Sequence, residues 1–177
     1  MSHSICEGFG SRVIHGGNTK DRGYRSLSMP VYQTSTFYFD SCEDGGKAFA
    51  GESDSYIYTR LGNPTIALAE EKIAEMECAE AAVATGSGMG AISSVLWTIA
   101  GAGKHIVADG TLYGCTYSLL SHGMTRYGVE VTFVDSSDPE EVRSALRENT
   151  VAVYLETPAN PTLKIADIRA IAELVHA

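Results

Sequence analysis

The stretch AAVATGSGMGAISSVLWTIAGAGKHIVAD, residues 81–109, decides the fold class. Residues 81–85 are a short apolar run that reads as a strand. Gly86-Ser87-Gly88-Met89-Gly90 is a tight loop, and residues 91–100 continue as an apolar helix. Gly101 and Gly103 end that helix. His105 to Asp109 then reads as a second strand. This is the strand, helix, strand order of a parallel α/β unit.

Working outward, the alternation continues. Upstream, Asn63-Pro64 is an N-cap followed by proline at the first helical position. Ile66, Ala69, Ile73 and Met76 recur at helical spacing, which predicts a helix over 64–77. Downstream, residues 113–127 read as a helix closed by Gly128, and 129–134 alternate as a strand. Asp138-Pro139-Glu140-Glu141 caps and starts a helix that ends near Asn149. Residues 151–155 form a continuous apolar run, as expected of a strand covered on both faces. Ile168, Ile171, Ala172 and Val175 share one face of a last helix, and no stop signal follows it. The expectation is an α/β domain over 61–177, with a mostly parallel sheet and helices on both faces. Residues 1–60 show no sustained period and one extended patch at 30–39. They read as an extended N-terminal arm that packs on another domain or reaches a neighbouring subunit.

The 177 residues carry a net charge of -9, which argues against a nucleic-acid partner. A small phosphate remains compatible, since it needs only local amides and one or two cations. No apolar run is long enough to span a bilayer. Residues 1–7 lack the basic start and apolar core of a signal peptide, so the expected location is cytoplasmic. Cys6, Cys42, Cys78 and Cys115 form no CxxC pair, so neither a disulfide framework nor a zinc site is expected. Cys78 reads as a small buried hydrophobe. The five histidines, including His105, show no metal-binding spacing.

Ligands of parallel sheets gather at the carboxyl ends of the strands. The loops after Thr85, Asp109 and Glu156 are such ends, and they carry the chemistry. Ser87-Gly88-Met89 opens a helix whose free amides suit a phosphate; its bland reading is a simple turn. It is not GxGxxG, and Gly101-Ala102-Gly103-Lys104 is not a phosphate loop of the Walker type. Tyr113 opens a helix, where it is either a packing residue or a ring that stacks on a flat cofactor and moves a proton. Cys115 is either an activated thiol near that helix N-terminus or a small buried one. Tyr58 and Arg60 offer a hydroxyl and a guanidinium fork for phosphate oxygens, or a solvated surface pair. Glu156 and Asn160 flank Pro158, and Asn160 brings a donor and an acceptor. Their bland reading is turn chemistry.

In order and spacing, these motifs resemble one family, the pyridoxal-phosphate enzymes of cysteine and methionine metabolism (trans-sulfuration). The residues that carry the resemblance are PVYQTSTF at 30–37, YIYTRLGNPT at 56–65, ATGSGMGA at 84–91, YGCT at 113–116 and YLETPANPTL at 154–163. The resemblance implies the fold type I architecture of pyridoxal-phosphate-dependent transferases and pyridoxal 5'-phosphate as cofactor. It implies that Tyr58 and Arg60 hold the cofactor phosphate of a neighbouring subunit. Ser87, Gly88 and Met89 would hold the phosphate of their own subunit, the last two through amides. Tyr113 would stack on the pyridine ring and act as acid toward the leaving group. Glu156 and Asn160 would join the cofactor contacts, Asn160 at the ring oxygen. A homotetramer built from two dimers with shared sites is implied.

Cys115 after Tyr113-Gly114 resembles the methionine γ-lyase group. That implies γ-elimination of a small sulfur amino acid, L-methionine, to methanethiol, 2-oxobutanoate and ammonia. Cystathionine γ-lyase, cystathionine γ-synthase and O-acylhomoserine sulfhydrylase activities are the alternatives within the family. None of Lys20, Lys47, Lys72, Lys104 or Lys164 stands in the context of the family's cofactor-bearing lysine. The chain is therefore expected to be the N-terminal part of a longer enzyme, inactive by itself. A non-catalytic subunit lacking that lysine is the reading from a different class.

Overall fold

The structure is a computed structural model that describes residues 8–16 and 26–176. Residues 1–7, with Cys6 and His3, and Lys20 lie outside the described residues. The chain divides into two compact units, one running to Ala84 and the other from Thr85.

The second unit holds a three-stranded parallel sheet in the order β2-β1-β3, with β1 His105–Asp109, β2 Glu130–Val134 and β3 Thr150–Tyr154. Ile106 pairs with Val131 on one side and Ala152 on the other. Every residue of β1 is buried, whereas those of β3 are half-buried. Coverage on both faces, expected for 151–155, thus belongs most fully to the central strand. The reason is position: among the described residues β3 pairs only with β1.

Alternation along β1 separates two cores. Ile106 and Ala108 face Leu96, Ala100, Leu120 and Met124. Val107 faces Val142, Ala166 and Ile171. The first set comes from α4 (Gly88–Ile99) and from the segment between β1 and β2. The second comes from α6 (Pro139–Ala145), α7 (Ile168–Val175) and the loop before α7. Helical residues therefore cover both faces of the sheet. Each fully buried leucine or isoleucine contributes roughly 2 kcal/mol by area alone.

Caps explain where the helices begin. Asp138 Oδ1 accepts the amide of Glu140 at 2.9 Å, and Asp167 Oδ1 accepts that of Ala170 at 3.0 Å. α6 stops at Ala145, short of Asn149, because Thr150 Oγ1 accepts the Arg147 amide at 2.8 Å. The Arg147 guanidinium meanwhile reaches Glu130 at 2.5 Å. The helix expected over 113–127 is not uniform. α5 (Gly114–Ser118) widens into a π turn at Leu119–Gly123, then tightens into a 3-10 turn at Met124–Tyr127. Ser121 and Thr125 donate their hydroxyls to the carbonyls of Tyr117 and Ser121, the kind of side-chain competition that distorts a helix. Gly128 closes the segment at φ 80, as expected.

Residues 81–85 are not a strand, which corrects the sequence reading. They join no strand ladder, the Ala84 amide donates to Glu70 Oε1 at 2.7 Å, and Val83 is 81% exposed. An apolar run becomes a strand only where a neighbour takes its amides and carbonyls. None of the three strands does so among the described residues.

The first unit contains α1 (Phe9–His15), α2 (Cys42–Phe49) and α3 (Pro64–Glu77). α3 has the expected bounds. Its cap, Asn63, is buried; its Oδ1 accepts the Thr65 amide at 2.9 Å. Its Nδ2 donates to the Tyr32 carbonyl and to Thr59 Oγ1, both at 3.0 Å. The 30–39 patch is thereby tied to the helix start. Phe37 donates to the Ile57 carbonyl at 3.2 Å, and Thr59 to that of Ser35 at 2.9 Å. α1 and α2 were not legible in sequence because both are short, and α2 carries Gly45 and Gly46. Ser41 caps α2 and the Glu43–Lys47 pair closes at 2.8 Å. Cys78 is exposed, against expectation: it caps α3 in the left-handed conformation, φ 54, and its sulfur accepts from Arg12 at 2.5 Å.

One buried group makes this fold sensitive to acid. His105 is fully buried at the start of β1, between Thr150 Oγ1 at 2.8 Å and Thr132 Oγ1 at 2.9 Å. Burial, and then the Arg147 charge, hold its pKa below the ordinary 6.5, against a smaller opposing pull from Glu130. A lowered pKa means that the unfolded chain takes up the proton first. The stability that this neutral ring confers is complete above 6.5 and is lost as pH falls toward the folded value. His105→Gln keeps a donor and an acceptor without the titration. Denaturant melts from about pH 7.5 to about 5.5, each about one unit from the ordinary imidazole value, should show a shallower loss of stability for H105Q.

Candidate active site

The carboxyl ends of β1 and β3 and the first turn of α4 bring together most of the residues singled out in the second unit. Asp109 ends β1 and is buried. Its Oδ1 accepts the Thr111 amide and hydroxyl, both at 2.5 Å. Its Oδ2 accepts the Ser136 amide at 3.2 Å and the Ser136 hydroxyl. Burial alone would raise the pKa of this carboxyl, but those four donors lower it on balance. Asp109 thus ties the loop after β1 to the loop after β2. Sequence reasoning placed it at a strand end without giving it a role. The available signal was a lone acid closing an apolar run, which needs donors to be buried.

Two residues beyond Thr111, Tyr113 is the N-cap of α5, with φ -50 and ψ 132 and no side-chain cap bond. Its amide donates to both carboxylate oxygens of Glu156, at 3.1 and 3.2 Å. Glu156 follows β3, so this contact joins the ends of two neighbouring strands. The Tyr113 side chain is 51% exposed. Cys115, two residues on, holds the tyrosine pKa above the usual phenol range, first by hydrogen bonding and then by its charge. Cys115 is exposed, so the bland reading of a small buried thiol fails.

Behind this layer, Thr116 is buried and its hydroxyl points to Met89 Sδ at 3.6 Å, which brings α5 to the first turn of α4. Burial raises the pKa of Tyr154, Glu156 adds to the rise, and a hydrogen bond with Thr116 opposes it.

Ser87 caps α4: its Oγ accepts the Gly90 amide at 3.0 Å and its carbonyl that of Ala91 at 3.1 Å. The amides of Gly88 and Met89 then meet no acceptor among the described residues. Space around Gly86 and Gly88 is open, since a Cβ built on either would touch nothing within 4 Å. Two free amides at a helix N-terminus, beside glycines with no neighbour at the Cβ position, fit the phosphate of pyridoxal phosphate.

Asn160 is exposed in the loop after β3, next to the buried Ala159. That loop folds on itself: Leu163 donates to the Ala159 carbonyl at 2.7 Å and Ala159 to that of Lys164 at 2.9 Å. The Lys164 ammonium pairs with Asp135, whose pKa is lowered to about 2, first by that bond and then by the Ser137 hydroxyl. Lys47 and Lys72 are also engaged, with Glu43 and the Ile14 carbonyl.

Tyr58 and Arg60 belong to the first unit. Thr36 bridges Tyr58 in antiparallel fashion, which presents the short segment before α3. The Arg60 guanidinium lies over the Tyr58 ring, 4.7 Å from its centroid.

Comparison with known proteins gives the same assignment. Residues 10–177 match the family described as Cys/Met metabolism PLP-dependent enzyme. The chain is 60% identical over 169 residues to an L-methionine gamma-lyase of Fusobacterium nucleatum subsp. polymorphum, covering 96% of this chain and 42% of that protein. It is 56% identical over 169 residues to an L-methionine gamma-lyase of Porphyromonas gingivalis, with the same coverage. A cystathionine gamma-lyase of Lactobacillus plantarum, solved with L-serine, superposes with a TM-score of 0.83 at 38% identity, over 96% of this chain and 42% of that one. The chain thus spans less than half the length of the curated relatives it matches. Its motifs, its sheet and these likenesses agree: the chain belongs to the pyridoxal-phosphate-dependent enzymes of cysteine and methionine metabolism.

Proposed function

We propose that the complete protein carrying this chain is an L-methionine γ-lyase. It would convert L-methionine and water to methanethiol, 2-oxobutanoate and ammonia. The feature that carries this reading is Cys115 directly after Tyr113-Gly114. It occurs in a chain more similar to methionine γ-lyases, at 60%, than to an O-acetyl-L-homoserine sulfhydrylase of Corynebacterium glutamicum, at 41%.

In this reading the Gly88 and Met89 amides, capped by Ser87, hold the cofactor phosphate. Tyr58 and Arg60 reach the phosphate of a neighbouring subunit. The Tyr113 ring stacks on the pyridine ring, and its hydroxyl delivers a proton to the departing sulfur. Asn160 bonds the ring oxygen, and Glu156 stands beside Tyr113 at the end of β3. The bound cofactor supplies an electron sink for proton removal at Cα and Cβ. A cytoplasmic homotetramer of two dimers completes the proposal. Among the described residues no helix is long and apolar enough to cross a membrane.

The direct test supplies the complete protein with pyridoxal phosphate and L-methionine and no added thiol. Methanethiol and 2-oxobutanoate should appear together. Turnover confined to an activated homoserine ester plus sulfide would replace the lyase by a sulfhydrylase.

A second expectation concerns pH. The hydrogen bond and charge of Cys115 keep the Tyr113 hydroxyl protonated to higher pH. Cys115→Ala removes both, so the tyrosine should lose its proton at lower pH. A proton donor is then lost earlier, and the alkaline limb of kcat/KM should move down. Ultraviolet titration of C115A, with Y113F to identify the phenol, measures the same change. An alkaline limb that stays in place would remove Tyr113 from the role of acid.

A further inference from the structure

We propose that Glu156 is a positioning residue that acts through the backbone of Tyr113 rather than a group that touches the cofactor. The inference deepens the reading above and rests on Tyr113 being the stacking residue. Both Glu156 oxygens lie on one N–H, that of Tyr113, at 3.1 and 3.2 Å. A carboxylate has only acceptors, so it offers nothing to a phosphate, whereas a backbone amide needs an acceptor. Such a bond to an ionised acceptor is stronger than one between neutral groups.

The place of the bond decides what it controls. Tyr113 has no side-chain cap, and α5 after it is only five residues long. A helix that short does little to fix the direction of its first residue. The loop leading into it is held at Thr111 by Asp109, which lies on the strand that the loop leaves. Leu112 is buried. Glu156 brings the tie from the neighbouring strand, because Ala108 of β1 is in register with Tyr154 of β3. The base of the half-exposed Tyr113 ring is therefore clamped between the ends of β1 and β3. Rotation of that backbone would turn both the ring and its hydroxyl.

Two variants of the complete protein test this, Glu156→Ala and Glu156→Gln. Hydrogen exchange resolved to the Tyr113 amide is measured first without cofactor. E156A should speed exchange at Tyr113 by roughly tenfold, the effect of losing one charge-assisted bond. The Gly110 amide, bonded to the Val134 carbonyl at 2.8 Å, should be unaffected. E156Q keeps one carbonyl acceptor and should lie between E156A and the parent. With cofactor bound, E156A should lower kcat about tenfold while KM changes little, the pattern of a misplaced reacting group. Unchanged exchange at Tyr113 in E156A overturns the proposal. So does loss of pyridoxal phosphate binding with unchanged exchange, since Glu156 would then be a cofactor contact. Should E156A not fold, E156Q decides alone, by faster or unchanged exchange at Tyr113. Failure of the parent protein to take up pyridoxal phosphate would instead defeat the functional reading. The cofactor-free exchange comparison would still decide what Glu156 holds.

Discussion

Burial of β1 along its whole length is the constraint on which the second unit depends. The strand begins with a histidine and ends with an aspartate, and neither meets water. A buried polar group without partners costs more than the hydrophobic contacts around it return. Both ends must therefore be satisfied by neighbouring strands or their loops. His105 is met by Thr132 of β2 and Thr150 of β3. Asp109 is met by Thr111 and Ser136. The same bonds that satisfy the central strand fix where β2 and β3 lie beside it.

From that constraint the site assembles in sequence. Asp109 holds Thr111, Thr111 leads through the buried Leu112 to Tyr113, and Tyr113 is taken by Glu156. Thr116, one turn later, sets α5 on Met89 at the head of α4. Each step is a short local contact, so small errors do not accumulate across the loop. The backbone that carries the Tyr113 ring is thus held by the ends of two strands. This is the usual advantage of placing reactive groups at the carboxyl edge of a parallel sheet.

Much of this was legible because capping chemistry is local. Asn63-Pro64 and Asp138-Pro139 each mark a helix start that the structure keeps, and Gly128 marks a stop. What failed depends on partners that a single segment does not carry. Residues 81–85 have strand composition but no strand beside them among the described residues. Cys78 is hydrophobic enough to bury, yet it stands at a left-handed helix end where Arg12 covers its sulfur from another helix. Glu156 could be placed near the site by its loop, but its partner lies 43 residues away in sequence. α1 and α2 are too short for a period to show above the local scatter.

A chain of net charge -9 is an unusual place for a phosphate, and the resolution is local. Helix N-termini attract negative charge, and two helices here spend that attraction on their own side chains. α2 opens with Glu43 and Asp44, and α6 with Glu140 and Glu141. α4 is different: it has no acidic residue in its first turn, and Gly88 and Met89 leave their amides without an acceptor. A Cβ built on Gly88 would meet nothing within 4 Å. The potential that an anion meets over such distances is set by the nearest amides and charges, because screening suppresses the rest within about 8–10 Å. Placing any carboxylate in the first turn of α4 would fill the site with the chain's own charge. The first turn of α4 shares that lack of acids with α3 and α5, and what it offers a phosphate is the pair of amides at Gly88 and Met89 that meet no acceptor among the described residues.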